Sequence, residues 1–285
     1  MHAGSTNVLI FFMKTTIFDD KANSEKSIDR LNYNRTTDKR FFKIELLHKL
    51  VFQKTQKILS ERTNSVEWVK TYIYTGEYND KAMGMLKKSC GDTIREMNEL
   101  IDKENQLLQK IHTLSENPDL KAQVRSHVTS VKERFEQHKR LKETALEKQT
   151  RSAEAQKNFF VKIHEMDFVE LKTTPLVCRN GYIIQKGVDV KLATDLIQLA
   201  FSNAYDVAVL MTGDLDLKES INLIREKLGK LVLILGYYSS NPDEAKYNTI
   251  SRDLINSCDY FINTKDFTEQ EIQAISTAKR VSKQN

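Results

Sequence analysis

Asp206-Val-Ala-Val-Leu-Met-Thr-Gly-Asp-Leu-Asp216 is the stretch whose reading decides the fold. Val207 to Met211 is an unbroken apolar run, as expected of a strand buried on both faces of a parallel sheet. It stops at Thr212-Gly213, where glycine permits a sharp turn. Two acids, Asp214 and Asp216, follow one residue apart. Ligands of open α/β sheets bind beyond the carboxyl ends of the strands, so these acids stand where chemistry is expected. Crowded carboxylates repel unless a cation intervenes, and an oxygen-only set suits Mg²⁺ or Mn²⁺. The same two residues also suit a helix start, where they would cap free N–H groups and favour the dipole.

The α/β rhythm continues outward in both directions. Gly187 to Phe201 spaces Val188, Leu192, Leu196 and Leu199 along one helical stripe. Asp189 falls in its first turn, and Asp195 lies seven residues after Val188, on the stripe that faces the sheet. A carboxylate there needs hydrogen bonds or a cation. Downstream, the pattern predicts a helix over 219–228, a strand over 231–235, a helix over 245–256 and a last strand over 260–263. Upstream, it predicts strands over 8–13, 66–74 and 159–170, with a helical stretch over 24–59. Strands alternating with helices imply a three-layer αβα fold around a doubly wound, mainly parallel sheet.

Residues 80–157 break that rhythm. Charges dominate, and apolar positions alternate steps of three and four along two seams. Ile94, Met97, Ile101, Leu108 and Ile111 form one seam; Leu120, Val124, Val128, Val131, Phe135, His138 and Leu141 form the other. Asn117-Pro118-Asp119 separates them, since Pro ends a helix and Asp caps the next. The expected organisation is an α/β domain over 7–79 and 158–285, interrupted by an antiparallel coiled-coil hairpin over 80–157. Each arm would be about 50 Å long. The second arm, 119–157, carries ten Lys/Arg against six Asp/Glu, 10 − 6 = +4. A solvated coiled coil, a dimerisation arm, a partner dock and a basic ruler along a nucleic acid all fit this pattern.

Composition narrows the class. Three cysteines far apart, with no C-x-x-C pair, suggest neither a disulfide framework nor a zinc knuckle, and a reducing cytoplasm is the expected home. The longest apolar run is too short to span a membrane. The net charge of +5 permits a polyanionic partner without demanding one. No Gly-rich phosphate loop follows any strand, which argues against a phosphate-handling α/β enzyme of the loop-cradled kind.

The combination Lys186-Gly-Val-Asp-Val-x-Leu-Ala-x-Asp195 followed by Asn203-Ala-Tyr-Asp-Val-Ala-Val-Leu-Met-Thr-Gly-Asp-Leu-Asp216 resembles the NYN domains of the LabA type, relatives of PIN nucleases. The resemblance implies metal-dependent cleavage of RNA phosphodiesters. It makes Asp189, Asp214 and Asp216 the catalytic, metal-holding acids, with Mg²⁺ or Mn²⁺ as cofactor and Asp195, Lys186 and Thr212 in support. Such domains end their first strand with Asp-Gly-x-Asn. With that strand placed at 8–13, Met13 stands where the Asp is expected and Thr16 where the Asn is expected, and a thioether is a poor ligand for a hard cation. Asp19 and Asp20 are the nearby substitutes. Two functions follow as expectations: a metal-dependent ribonuclease, or a catalytically weakened NYN-like module. The second would bind RNA or a protein partner, or a second copy of itself, through the hairpin.

Overall fold

The structure is a computed structural model that describes residues 12–32, 40–114 and 117–278. The chain divides into two compact units. The first comprises the chain up to Thr75, Lys162–Thr174 and everything from Gly187 onward; the second comprises Gly76–Val161 and Pro175–Lys186.

In chain order the first part runs β1 (Phe12–Asp20), α1 (Lys21–Asp29), β2 (Arg40–Phe42), α2 (Ile44–Leu59) and β3 (Ser65–Glu77). Two long helices follow, α3 (Asp80–Leu114) and α4 (Pro118–His164). Next come β4 (Val169–Pro175), β5 (Val177–Arg179), β6 (Tyr182–Ile184), α5 (Val188–Phe201), β7 (Val207–Met211) and α6 (Lys218–Glu226). The chain closes with β8 (Leu231–Gly236), α7 (Pro242–Ala245), α8 (Arg252–Asn256), β9 (Tyr260–Asn263), α9 (Glu269–Ala274) and β10 (Ser276–Ala278).

The central sheet has the order β4-β3-β1-β7-β8-β9, with parallel pairing from β3 through β9. The chain leaves β1 towards β3 on one side and later returns to pair β7 on the other. The reversal of strand order therefore falls at β1 and β7, the position at which doubly wound sheets bind ligands. Because side chains alternate faces along a strand, each face feeds its own core. Phe18, Ala208, Leu210, Val232 and Ile234 meet Leu192 and Leu196 of α5 and Ile221 of α6. Ile17, Val207, Val209, Met211 and Leu233 meet Leu47, Leu50 and Val51 of α2 and Ile272 of α9. Leu192, Leu196 and Ile221 are fully buried, each contributing about 1.5–3 kcal/mol. This is the three-layer α/β arrangement expected from the alternating pattern.

Several boundaries differ from the expectation, for identifiable reasons. The first strand is β1, ending at Asp20 rather than Met13; positions 8–11 lie outside the described residues. Its second half is polar yet buried, with Thr15, Thr16, Asp19 and Asp20 at 0–2% exposure, so an apolar run could not mark it. The helical stretch over 24–59 resolves into α1, β2 and α2, with 33–39 outside the described residues. Of the strand expected over 159–170, residues 159–164 are instead the end of α4, and only Val169 and Glu170 are strand, the start of β4. Phe159, Phe160 and Val161 favour strands locally, but Ile163 is anchored at 1% exposure and the helix continues through them to His164. Phe168, with φ 60°, then turns the chain into β4. The single helix expected over 245–256 is two short ones, α7 and α8, because Asn248 to Ser251 is irregular. Thr249 packs its carbonyl against Gly213, and Ser251 caps α8 by accepting from Leu254 N at 3.2 Å. The hairpin β5–β6 and the pair β2–β10 escaped the sequence reading, each strand being only three residues long.

In the second unit, Ala82, Leu86 and Cys90 of α3 pack with Cys178 and with partly buried Leu146 and Ile183. No described helix is long and apolar enough to cross a membrane.

Candidate active site

Asp20 is the last residue of β1, and it caps α1, accepting from Ala22 N at 3.2 Å. Pleating fixes its direction: Asp20 follows Phe18 to the α5 face, whereas Asp19 follows Ile17 to the α2 face. Asn23, three residues on, donates its amide to Asp20 Oδ2. The Asp-x-x-Asn spacing of the first-strand motif is therefore present as Asp20-Lys21-Ala22-Asn23. Met13 and Thr16 lie inside the strand, opposite Val66 and Ala208 respectively, so neither occupies the strand exit. Lys14 sits at the opposite end of the sheet from the acids. There its backbone N–H donates to Asp206 at 2.9 Å and its ammonium to the Asn203 carbonyl.

The exit of β7 lies beside that of β1, because Asp19 pairs with Met211. Thr212, 1% exposed, ties the two exits together. Its Oγ1 is 3.4 Å from Asp20 Oδ2 and 3.4 Å from Asn23 Nδ2, and it accepts from Asp214 N at 3.2 Å. Asp214 in turn accepts from Asp216 N at 3.0 Å, opening a short 3-10 turn before α6. Gly213 is required between them, since a Cβ there would stand 1.7 Å from Thr249 O. Gly187, with φ 81°, brings the chain into α5 and places Asp189 in that helix's first turn.

The four acids share one electrostatic field. Burial pushes the Asp20 carboxyl up to about 6; the Asn23 hydrogen bond opposes this, and the negative charges of Asp189 and Asp19 add to it. Asp189 is also raised, first by burial and then by Asp214 and Asp216. Asp20 is buried, Asp189 and Asp214 are half-buried, and Asp216 is exposed. Among the described residues, no three His, Cys, Asp or Glu side chains are gathered closely enough to hold a metal ion as they stand. The donor chemistry nevertheless suits a hard cation: carboxylate, amide and hydroxyl oxygens, and a buried carboxylate beside like charges.

The remaining expected residues are placed elsewhere. Asp195 accepts from Tyr74 Oη at 3.1 Å and lies 3.9 Å from Lys172 Nζ, so its place on the helix stripe is explained by a hydroxyl and an ammonium. Lys186 is exposed and belongs to the second unit. A buried pair on the other sheet face was not anticipated: His48 Nε2 stands 2.8 Å from Asp19 Oδ2, both residues at 0–1% exposure. The helical spacing of α2 placed His48 among apolar residues, and only the true end of β1 reveals its partner.

A six-stranded central sheet, parallel from β3 through β9 and layered between helices, is consistent with the PIN-like class. Residues 101–267 match the NYN domain, a PIN-like nuclease domain, and the chain belongs to that family. The matched span holds Asp189, Asp214 and Asp216 but begins after β1, so Asp20 and Asn23 lie outside it. The uncharacterized protein y4oD of Sinorhizobium fredii is 35% identical over 83 residues, which cover 29% of this chain and 37% of that protein. The chain thus spans well under half of the relative. A crystal structure of a protein of unknown function from Vibrio parahaemolyticus superposes with a TM-score of 0.43 at 15% identity, covering 89% of this chain and 94% of the other.

Proposed function

We propose that this NYN domain is a metal-dependent endoribonuclease whose site is formed by Asp20, Asp189, Asp214 and Asp216, with Mg²⁺ or Mn²⁺ as cofactor. The observation that supports it best is the buried Asp20, its carboxyl raised to about 6 beside Asp189 at the reversal point of the sheet. A buried acid surrounded by like charges is unfavourable by itself and is relieved by a divalent ion. Asp20 and Asp189 would supply fixed oxygens, and the more exposed Asp214 and Asp216 would close on the ion. Such an ion lowers the pKa of a bound water and neutralises charge on a scissile phosphate. Asn23 and Thr212 hold Asp20 in place, and Thr212 also fixes the backbone entering Asp214. Asp195 is assigned a structural role.

The alternative, a module that binds RNA or a protein partner without cutting it, draws on the acids' not forming a closed group as they stand. For the long helices we propose the antiparallel hairpin over 80–157, available to a second copy or another protein. The deciding experiment incubates labelled single-stranded RNA with the protein plus Mn²⁺, with EDTA, and with Asp214→Asn. Cleavage that needs Mn²⁺ and is lost in the variant supports the nuclease; intact RNA bound by the protein supports the alternative.

A further inference from the structure

Asp19 and Asp20 are neighbours at the end of β1, yet only Asp20 turns to the α5 face, where Asn23 and Thr212 meet it. The strand's own pattern does not select it. On the α5 face β1 presents Thr16, Phe18 and Asp20; on the α2 face it presents Thr15, Ile17 and Asp19. Both faces thus carry threonine, an apolar residue and aspartate in the same order, and all six residues are buried. Strand register is normally set by which face is apolar, and a slip of one residue exchanges the faces. Here a slip would set Thr15, Ile17 and Asp19 where Thr16, Phe18 and Asp20 stand, apolar for apolar and acid for acid. The pairing of β1 with β3 already shifts register within this segment, between Thr15 and Thr16.

What separates the two faces is the partner each offers an acid. On the α2 face His48 Nε2 stands 2.8 Å from Asp19 Oδ2, while Asp19 Oδ1 is buried with no hydrogen-bond partner among the described residues. A carboxylate oxygen only accepts, so Nε2 is the donor. The pair lies in the core layer formed by Ile17, Leu47, Leu50, Val51 and Met211. A buried polar pair is often no more stabilising than apolar residues of the same volume, and its best-attested use is to fix a register. Asp19 is also the last residue of β1 paired on both sides, to Ile73 and to Met211, so its anchoring sets where Asp20 leaves the sheet.

We propose that His48 is a positioning residue: its contact with Asp19 locks the register of β1, so that Asp20 and not Asp19 joins the acid edge. Without the imidazole, Asp19 has no donor on the α2 face. A slipped strand that buries Phe18 there, and sends Asp19 into the place of Asp20, then competes with the observed one. This inference rests on the reading of the acid edge as a cation site, but its first readout needs no cation.

The test uses the full chain with His48→Leu, His48→Gln and the double variant Asp19→Leu/His48→Leu. Glutamine keeps a donor nitrogen where Nε2 stands. Leucine at both positions assigns the α2 face by hydropathy alone. In EDTA, NMR cross-peaks between Ile17 and Val209, paired across β1 and β7, read the register. They should weaken and be joined by a second set in His48→Leu, and match the parent in the other two variants. In Mn²⁺ titrations followed by electron paramagnetic resonance, His48→Leu should bind at least ~10-fold more weakly, and the other two within about three-fold of the parent. Urea midpoints followed by Trp68 fluorescence show that each variant is folded when measured. If His48→Leu does not fold, His48→Asn, whose shorter amide does not reach Asp19, takes its place. Parental cross-peaks or parental Mn²⁺ affinity in the folded His48 variant overturns the lock, as does a double variant that fails to restore them. If the parent binds no Mn²⁺, the cation reading falls, and the cross-peaks alone decide on the lock.

Discussion

Replacing Asp20 by Asn should make the α/β unit more stable while disabling it. Asparagine keeps the cap on α1 through its one oxygen, and its amide nitrogen can donate to Asn23 once the Asn23 amide turns its oxygen towards it, so the main change is removal of a buried negative charge. A carboxyl held at about 6 in the fold, against ~3.9 in the unfolded chain, costs about 3 kcal/mol at pH 8, where both states are ionised. The sign follows from proton counts. Between those two values the folded state holds more protons, so stability falls as pH rises from about 4 through about 6. Asp20→Asn removes that penalty, less about 1 kcal/mol for weakened charge-assisted hydrogen bonds. Its advantage should therefore be about 2 kcal/mol at pH 8 and close to zero at pH 4. With a slope near 2 kcal/mol per molar, the urea midpoint moves up by about 1 M at pH 8. Trp68, the chain's single tryptophan, is stacked on Phe52 at 5.4 Å and reports this unit. The same variant should lose at least ~100-fold in Mn²⁺-dependent RNA cleavage, since even outer partners of metal ligands cost 10–100-fold. Equal destabilisation of the variant at pH 4 and pH 8 would refute the electrostatic account of Asp20.

Four further outcomes follow from the same geometry. His48→Ala leaves the Asp19 carboxylate buried without its 2.8 Å partner, and urea denaturation should show a loss of about 3–5 kcal/mol. Met13→Asp should not raise cleavage above the parent's, because position 13 faces Val66 inside the strand; it should instead lower the urea midpoint by placing a charge against partly buried apolar neighbours. Asp195→Asn should leave Mn²⁺ affinity within about two-fold of the parent, whereas Asp189→Asn should weaken it at least ~10-fold, as calorimetric titration would show. Cleavage rate at limiting Mn²⁺ should climb as pH rises through about 6, where Asp20 becomes a carboxylate, and then level off; a flat profile from pH 5 to 8 contradicts that assignment.

Much of this was legible in the chain because the buried strands of the α/β unit are written in apolar residues. β7 and the first five residues of β8 are continuous apolar runs, and α5 shows its stripe openly, so the sheet and the acids at the β7 exit follow from pattern alone. The first strand hid itself. Thr15, Thr16, Asp19 and Asp20 are polar residues buried by tertiary contacts, and hydropathy placed the strand exit seven residues early, at 13 rather than 20. That one displacement turned an intact Asp-x-x-Asn into an apparent loss at Met13 and Thr16. For Asp195 the periodicity gave the stripe facing the sheet and the need for a partner, but not the partners themselves, Tyr74 and Lys172, which no local pattern could reveal. Phe159-Phe-Val161 shows propensity losing to helix continuity, and Thr249 shows a helix interrupted so that backbone can pack on Gly213.

The most direct test of the account is Mn²⁺ binding followed by electron paramagnetic resonance, in the parent and in Asp20→Asn, Asp214→Asn and Asp195→Asn. The account predicts saturable binding to the parent, strong loss in the first two variants and near-parental binding in the third. Parental Mn²⁺ affinity in Asp20→Asn, or no Mn²⁺ bound by the parent at pH 8, would contradict it.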